Sequence, residues 1–270
     1  MLGFSINVRI GLWVSDLKLG VKAGLKAAAL TQPEALGLDA FDADITPRNL
    51  SFSGRRDLAR HVRNVGALSA LKADVGGRRL ADPRNLDTNL ERLRDVVQMA
   101  ADLGAPRVQI AAGFVPDDLK ENTTERTALT EAARALNVVA SNSGVSICWL
   151  AGSESPETLA QFLAVADPSS MIEVDLNPGA FVMRGGDPLK ALNALTARVS
   201  MARAADHWRG GAEAPFGKGD VRWGEVLIGL SSLNRNLPLD ILAACSLDCD
   251  RAKVLKASID KLKSVRANPM

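Results

Sequence analysis

The chain has 270 residues, of which 47% are hydrophobic and 24% are charged, so long disordered and fibrous classes are excluded. A chain of this length forms one large domain or two small ones, and it can bury a sizeable core without disulfides or structural metals. Lys and Arg number 33 against 31 Asp and Glu, a net charge of +2. This balance is too even to indicate a nucleic-acid or membrane partner.

Three features of the sequence favour a reducing, cytoplasmic location. The cysteines, Cys148, Cys245 and Cys249, are odd in number and lack the spacing of a disulfide framework. No apolar run approaches the roughly 18 residues of a membrane span. The first residues also lack the basic region and the small-residue cleavage site of a signal peptide. We therefore expect a cytoplasmic protein.

Short runs of strand-forming residues recur along the chain, and each is followed by a longer helical pattern. They begin about 33 residues apart, close to the roughly 31 residues that each unit of a (β/α)8 barrel needs. Repeated βα units favour parallel strands joined by right-handed crossovers. The sequence therefore predicts a single α/β domain over 1–270, a (β/α)8 TIM barrel. The predicted strands are Asn7–Trp13, Leu36–Phe41, Ala67–Asp74, Arg107–Ala112, Val145–Ala151, Met171–Asn177, Arg198–Ala204 and Leu237–Ala243.

The helical patterns between these runs have recognisable ends. An apolar stripe runs along Leu86–Leu103, and Gly104 is typical of a helix C-terminus. Ser155 followed by Pro156 predicts the start of another helix, and Asp187 predicts the next in the same way. An open doubly wound sheet remains an alternative, although the chain has no Gly-rich dinucleotide or P-loop motif.

Three stretches resemble the xylose-isomerase-like barrel family, which includes sugar and sugar-phosphate isomerases, epimerases and endonuclease IV. Phe216–Trp223 is similar to that family's G-x-G-x-(V/D)-x-W segment between strands seven and eight. Met99–Gly113 is similar to its entry into strand four, and Asp175–Gly179 to its D-x-G-H corner after strand six. The resemblance covers about Val8 to Leu262. It implies a divergent barrel of the sugar-phosphate isomerase/epimerase type. Endonuclease activity is disfavoured, because a cluster of several zinc ions needs more than the 2 histidines present.

The resemblance also implies a divalent cation held by Glu, Asp, His and Glu at the ends of strands five to eight. Such an ion polarises a substrate's carbonyl and hydroxyl groups. The corresponding positions in this chain are Leu150, Asn177, Arg203 and Leu242. Leucine has no donor atom and a guanidinium cannot bind a cation, so we predict that the metal site is lost and that no cofactor is bound. The alternative is a conventional enzyme with Mn, Mg or Zn held by shifted ligands. One such shifted set contains Glu154, Asp206 and Asp240.

Polar side chains at the predicted barrel mouth supply the candidate catalytic residues. Asp175 and Glu154 are candidate bases for a metal-independent isomerisation, and His207 is the histidine nearest the mouth. Each has a simpler interpretation. Asp175 could form a buried ion pair with Arg203 that replaces the cation, and His207 could be a solvated loop residue.

The candidate ligand-binding residues are Arg203, Asn177, Asp206, Lys218 and Trp149. The planar fork of an arginine suits a carboxylate or a phosphate. Tryptophan is common in the walls of sugar pockets, although it serves more often as core packing. We therefore expect a small sugar-like or sugar-acid ligand, no nucleic-acid or membrane partner, and compatibility with a homo-oligomer. A non-enzymatic scaffold with the same fold is a third hypothesis.

Overall fold

Parallel strands alternate with helices along most of the described chain. The computed structural model describes residues 7–76, 80–115, 123–152, 154–233 and 238–268. Eight strands form a closed parallel barrel in which β1 pairs with both β2 and β10. The predicted (β/α)8 class is thus confirmed, and the closure excludes an open sheet. In chain order the barrel strands are β1 Val8–Trp13, β2 Ala35–Asp39, β3 Ala67–Ala73, β4 Arg107–Ile110, β5 Ser146–Leu150, β6 Glu173–Leu176, β7 Val199–Ala204 and β10 Leu239–Ala243. Between β7 and β10, β8 Asp206–His207 and β9 Glu213–Ala214 form a separate antiparallel pair.

Helices surround the barrel and cover the outer faces of its strands. Short 3-10 turns cover Val14–Leu17 and Pro83–Asn85. The α-helices are α1 Gly20–Ala29, α2 Phe52–Arg63, α3 Leu86–Leu103, α4 Thr123–Asn142, α5 Pro156–Ala166, α6 Pro178–Met183, α7 Pro188–Leu195, α8 Trp223–Ser231 and α9 Arg251–Ala267. Within the described residues, no helix has the length and apolar character that crossing a bilayer requires.

The predicted helix ends are confirmed by their local geometry. The third helix ends at Gly104, which has a φ of 74° and donates its N–H to the last turn. The Ser155 hydroxyl accepts a hydrogen bond from the N–H of Thr158 at 3.1 Å, which caps α5. The Asp187 carboxylate caps α7 by accepting from the N–H of Leu189 at 2.9 Å. These caps satisfy N–H groups that the first turn of a helix leaves without partners.

The eight predicted strands agree with the barrel strands to within a few residues. Central strands such as β4 and β10 are buried along their whole length. A strand covered on both faces is rich in apolar residues, which makes it recognisable in the sequence, and here buried polar residues such as Gln109 and Asp240 interrupt the apolar ones. The eighth predicted strand begins at Leu237, which lies outside the described residues.

One buried carboxylate joins several strands at the N-terminal end of the barrel. Asp240 on β10 accepts hydrogen bonds from Arg9 Nε at 2.6 Å and Nη2 at 2.8 Å. It also accepts from Ser69 Oγ at 2.6 Å and from Arg107 Nη1 at 3.1 Å. Arg107 Nε donates to Glu173 at 2.7 Å. These five residues, the basal cluster, link β1, β3, β4, β6 and β10, and their two cations balance their two anions.

We expect Asp240→Asn to destabilise the fold strongly, because it leaves the buried Arg107 and the partly exposed Arg9 with Glu173 as the one remaining carboxylate of the cluster. Breaking a buried pair by removing one partner costs roughly 3–5 kcal/mol. The free energy of unfolding in urea measures this loss. Asp260→Asn is the control, because its ion pair with Lys256 is about half exposed and contributes little. Equal stability of the two variants would contradict the role given to the basal cluster.

Candidate functional site

The indole ring of Trp13 fills the barrel interior beneath the C-terminal ends of the strands. Trp13 is the last residue of β1 and is fully buried. A β-carbon at Gly37 on β2 would overlap the Trp13 ring, so the absence of a side chain there lets the indole lie inside the barrel. The Trp13 Nε1 atom has no hydrogen-bond partner. In barrels of this type, the strand ends and loops above such a layer form the active site.

A hydrogen-bonded pair of buried polar side chains lies in the barrel interior. Gln109 Nε2 on β4 donates to Asp175 Oδ2 on β6 at 2.6 Å. The other oxygen of each side chain, Gln109 Oε1 and Asp175 Oδ1, is buried without a hydrogen-bond partner. Burial raises the pKa of Asp175 to about 6, against the opposing effects of the Gln109 hydrogen bond and of the Arg203 and Arg107 charges. Asp175 is therefore a carboxyl group able to exchange a proton near neutral pH.

Four charged side chains, which we call the mouth ring, are partly exposed near the C-terminal strand ends. Arg203 on β7 lies 3.5 Å from Asp16 Oδ2, in the turn after β1. Lys72 Nζ on β3 lies 3.1 Å from Asp39 Oδ2 on β2. Their side chains are 21%, 11%, 19% and 22% exposed, in that order. The predicted Asp175–Arg203 ion pair is replaced by two separate contacts, Gln109 with Asp175 and Asp16 with Arg203.

Asp206, predicted to bind ligand, instead organises the Gly-rich loop that carries the strongest sequence motif. Its carboxylate accepts four backbone hydrogen bonds, at distances of 2.7 to 3.2 Å. The donors are the N–H groups of His207, Gly217, Gly219 and Val221. Gly217 has a φ of 75°, and a β-carbon at Gly219 would collide with the carboxylate. The two glycines of the motif are thus required by the loop around Asp206.

Four further predicted residues lie around the loops at this end of the barrel. Asn177 caps α6, where its Oδ1 accepts from the Ala180 N–H at 3.2 Å. His207 is half-buried, and its Nδ1 lies against α6 without a hydrogen-bond partner. Glu154 is buried in the loop between β5 and α5, and Lys218 is exposed in the loop around Asp206. His207 is thus packed on one side of its ring and only in part the solvated loop residue that the simpler interpretation describes.

Trp149 does not reach the mouth. It alternates with Cys148, which belongs to the small apolar cluster that also contains Trp13 and Met201. The Trp149 ring instead packs on Phe162 of α5, with ring centroids 5.3 Å apart. Trp149 therefore lies in the outer core between β5 and α5, where its ring is not available to a ligand at the mouth.

The positions implied for a divalent cation carry unsuitable donors. Leu150 and Leu242 have no donor atom, Arg203 carries a positive charge, and the Asn177 oxygen is engaged as a helix cap. Among the side chains that the structure describes, no group of three or more His, Cys, Asp or Glu is arranged to hold a metal ion. The residues at these positions therefore do not fit the group that the resemblance implies.

The shifted ligand set also fails to come together. Asp240 lies in the basal cluster, at the opposite end of the barrel, and is bonded to two arginines. Asp206 is occupied by backbone N–H groups. Glu154 is therefore the remaining member of that set near the mouth.

Comparisons by sequence identify no relative. No model of a known protein family matches the chain, and no curated protein matches it with significance.

Comparisons by structure identify solved proteins with the same fold along nearly their whole length. A xylose isomerase domain protein from Planctomyces limnophilus superposes with a TM-score of 0.81 at 19% identity, covering 96% of this chain and 98% of that one. A D-psicose 3-epimerase from Clostridium cellulolyticum H10 gives a TM-score of 0.77 at 13% identity, covering 96% and 99%. A probable 3-DHS dehydratase from Bacillus anthracis gives 0.74 at 12% identity, covering 95% and 99%.

These similarities establish the architecture of the chain. Nearly the whole length of each protein is matched, so the chain has the xylose-isomerase-like barrel fold. The resemblance predicted from the three sequence stretches is confirmed at the level of the fold. The neighbours carry different names for their chemistry, so the architecture leaves the reaction open.

Arg203 is the member of the mouth ring named above from the sequence, and Asp39 is a member that sequence reasoning misses. It lies inside the second predicted strand, among apolar residues. One signal is available, because Asp39 follows Gly37 by two residues and therefore shares its inward face. A charged residue on that face, paired with a lysine in the register of β2 with β3, indicates a polar mouth.

We expect the pH dependence of stability to change in Asp175→Asn. The pKa of Asp175 is about 6 in the folded protein, against an ordinary value of 3.8, so ionisation disfavours the folded state. The contribution of Asp175 to stability is full below about pH 4 and is lost as pH rises through about 6, a change of roughly 3 kcal/mol. An asparagine keeps the hydrogen bond and stays neutral.

The measurement is the difference in unfolding free energy between Asp175→Asn and the wild type, from about pH 4 to 8. We expect the unfolding free energy of the variant to increase relative to that of the wild type as pH rises. Asp248→Asn is the control, because that side chain is exposed. A difference that stays constant with pH would show that the buried carboxyl titrates normally.

We expect Asp206→Ala to release the loop that it holds. Hydrogen bonds to a charged acceptor contribute roughly 1.5–3 kcal/mol each, so the amides of Gly217, Gly219 and Val221 should exchange with solvent at least about tenfold faster. Hydrogen exchange read by NMR measures this. Lys218→Ala is the matched control in the same loop, since its side chain is exposed and should leave the rates unchanged.

Proposed function

We propose that the barrel mouth binds a small sugar acid or a similar anionic polyol, and does so without a divalent cation. The observation that carries the proposal is the Gln109–Asp175 pair. It places two buried oxygens without partners in the barrel interior, near the charge of Arg203. Buried acceptors without partners are costly, and sugar hydroxyls are donors that would satisfy them.

Arg203 supplies the group that would recognise the anion. Of its five N–H donors, the described structure engages one, in the 3.5 Å contact with Asp16. Its side chain is 21% exposed, so part of it can be reached from solvent. A guanidinium fork bonds a carboxylate with two parallel hydrogen bonds, which gives both affinity and orientation.

The same arginine argues against a cation at this position. Two like charges about 4 Å apart repel each other by several kcal/mol at a protein-like dielectric. We infer that the guanidinium takes the electrostatic place that the cation holds in the resembled family.

Asp175 is the candidate acid–base group of this site. Its pKa of about 6 lets it accept a proton from carbon beside a ligand carbonyl and return it at neutral pH. Such a transfer would isomerise or epimerise a sugar, the chemistry named for the neighbouring D-psicose 3-epimerase. Glu154, the second candidate base, and His207 lie close to the same end of the barrel.

Calorimetric titration with gluconate, and with sorbitol as the matched neutral polyol, tests the proposal. We expect gluconate to bind the purified, metal-free protein and sorbitol to bind more weakly. Arg203→Ala should weaken gluconate binding by at least about tenfold, because a charge-assisted hydrogen bond contributes roughly 1.5–3 kcal/mol. Arg203→Lys should retain part of it. Arg60→Ala is the control, since Arg60 is exposed on α2.

Two results would overturn the proposal in different directions. Binding that disappears with chelator and returns with added Mn or Zn would indicate a conventional metal-dependent isomerase. Absence of binding to gluconate and to a panel of related sugar acids and sugar phosphates would favour the scaffold hypothesis. Elemental analysis of the purified protein provides an independent check on the first result.

A further inference from the structure

Two thiols lie side by side in the loop that follows the last barrel strand. The Sγ atoms of Cys245 and Cys249 are 3.8 Å apart. Cys245 is buried and Cys249 is exposed. We propose that these two cysteines are a redox modification site that closes reversibly to an intramolecular disulfide. This inference is independent of the proposed function, because it rests on the geometry of the loop alone.

The loop holds Cys245 in place from several sides. The Cys245 N–H donates to Asp16 Oδ2 at 3.1 Å, and its carbonyl accepts from Arg251 of α9. The next residue, Ser246, donates its N–H to the Glu213 carboxylate at 3.0 Å. These bonds fix the backbone of Cys245 at a position where its Sγ lies beside that of Cys249.

The second thiol has room to move toward the first. Cys249 is exposed and precedes Asp250, whose side chain caps the start of α9. A disulfide bond is about 2.05 Å long, so the sulfurs must approach by less than about 2 Å. Rotation of the exposed Cys249 side chain supplies much of that movement and leaves the strands of the barrel in place.

The oxidation can proceed by exchange with a small disulfide such as oxidised glutathione. The Cys249 thiolate attacks one glutathione sulfur, forms a mixed disulfide and releases the first glutathione thiolate. The Cys245 thiolate then attacks the Cys249 sulfur and releases the second. The two cysteines are oxidised, the glutathione disulfide is reduced, and the two thiol protons pass through solvent to the two released thiolates.

The second step controls the rate, because the buried thiol is a weak acid. Burial, with the nearby Cys249 and Glu213, raises the pKa of Cys245 to about 11. The other charged groups against it are Asp16 and Arg251, in contact with its N–H and its carbonyl. A small fraction of Cys245 is therefore thiolate at neutral pH, and closure should accelerate as pH rises.

Mass spectrometry of the full-length protein tests the proposal. The protein is treated with oxidised glutathione at about pH 8, remaining thiols are alkylated, and the single tryptic peptide holding both cysteines is weighed without reduction. We expect the wild-type peptide to lose the mass of two hydrogen atoms, and to regain alkylation after dithiothreitol. Cys245→Ser should stop at a glutathione adduct on Cys249. Cys249→Ser should leave the buried Cys245 free of adduct.

Cys148 is the internal control, since it is fully buried in the barrel and its pKa is raised far above the ordinary value, chiefly by burial. It should remain without adduct in every sample. A wild-type peptide that carries glutathione to the same extent as Cys245→Ser, or that is alkylated at both cysteines after the treatment, would overturn the proposal.

Discussion

The barrel depends on the carboxylate of Asp240, which draws the first and last strands together. Its bonds to Arg9 and Arg107 span 231 and 133 residues of sequence, so they form after the chain has closed on itself. A buried charge is costly when it is left without a partner, and the basal cluster avoids that cost by pairing its two cations with two anions. Because the charged groups at the N-terminal end are paired with one another, the candidate binding and acid–base groups lie at the C-terminal end of the barrel.

Buried polar groups at the C-terminal end of the barrel differ widely in how many hydrogen-bond partners they have. Asp206 and Asp175 are both almost fully buried, yet four backbone N–H groups surround the first and one amide meets the second. Hydrogen-bond donors favour the charged form of a carboxyl group, and their scarcity around Asp175 leaves burial dominant. In this structure, the number of hydrogen-bond donors distinguishes Asp206, which organises a loop, from Asp175, the candidate acid–base group. The sequence alone does not distinguish these two buried aspartates.

Much of the fold can be predicted from the sequence, whereas the candidate site can be predicted only in part. Apolar runs and helix caps such as Ser155 are local signals, and they locate the strands and helix starts correctly. The direction of a side chain on a strand covered on both faces is not a local property, which is why the sequence leaves Trp149 open between ligand binding and core packing. Contacts such as Arg203 with Asp16, 187 residues apart, arise from closure of the barrel and leave no trace in residue spacing.

The Trp13 ring, which fills the barrel beside Gly37, is also an intrinsic fluorophore inside the barrel. The chain contains 4 tryptophans and no tyrosine, so its near-ultraviolet fluorescence arises from indole alone. Trp208 is 47% exposed and open to a soluble quencher, while Trp13, Trp149 and Trp223 are shielded. Quenching the outer emitter leaves a signal to which the indole inside the barrel contributes. That signal can be recorded in the unlabelled protein without a chromogenic substrate.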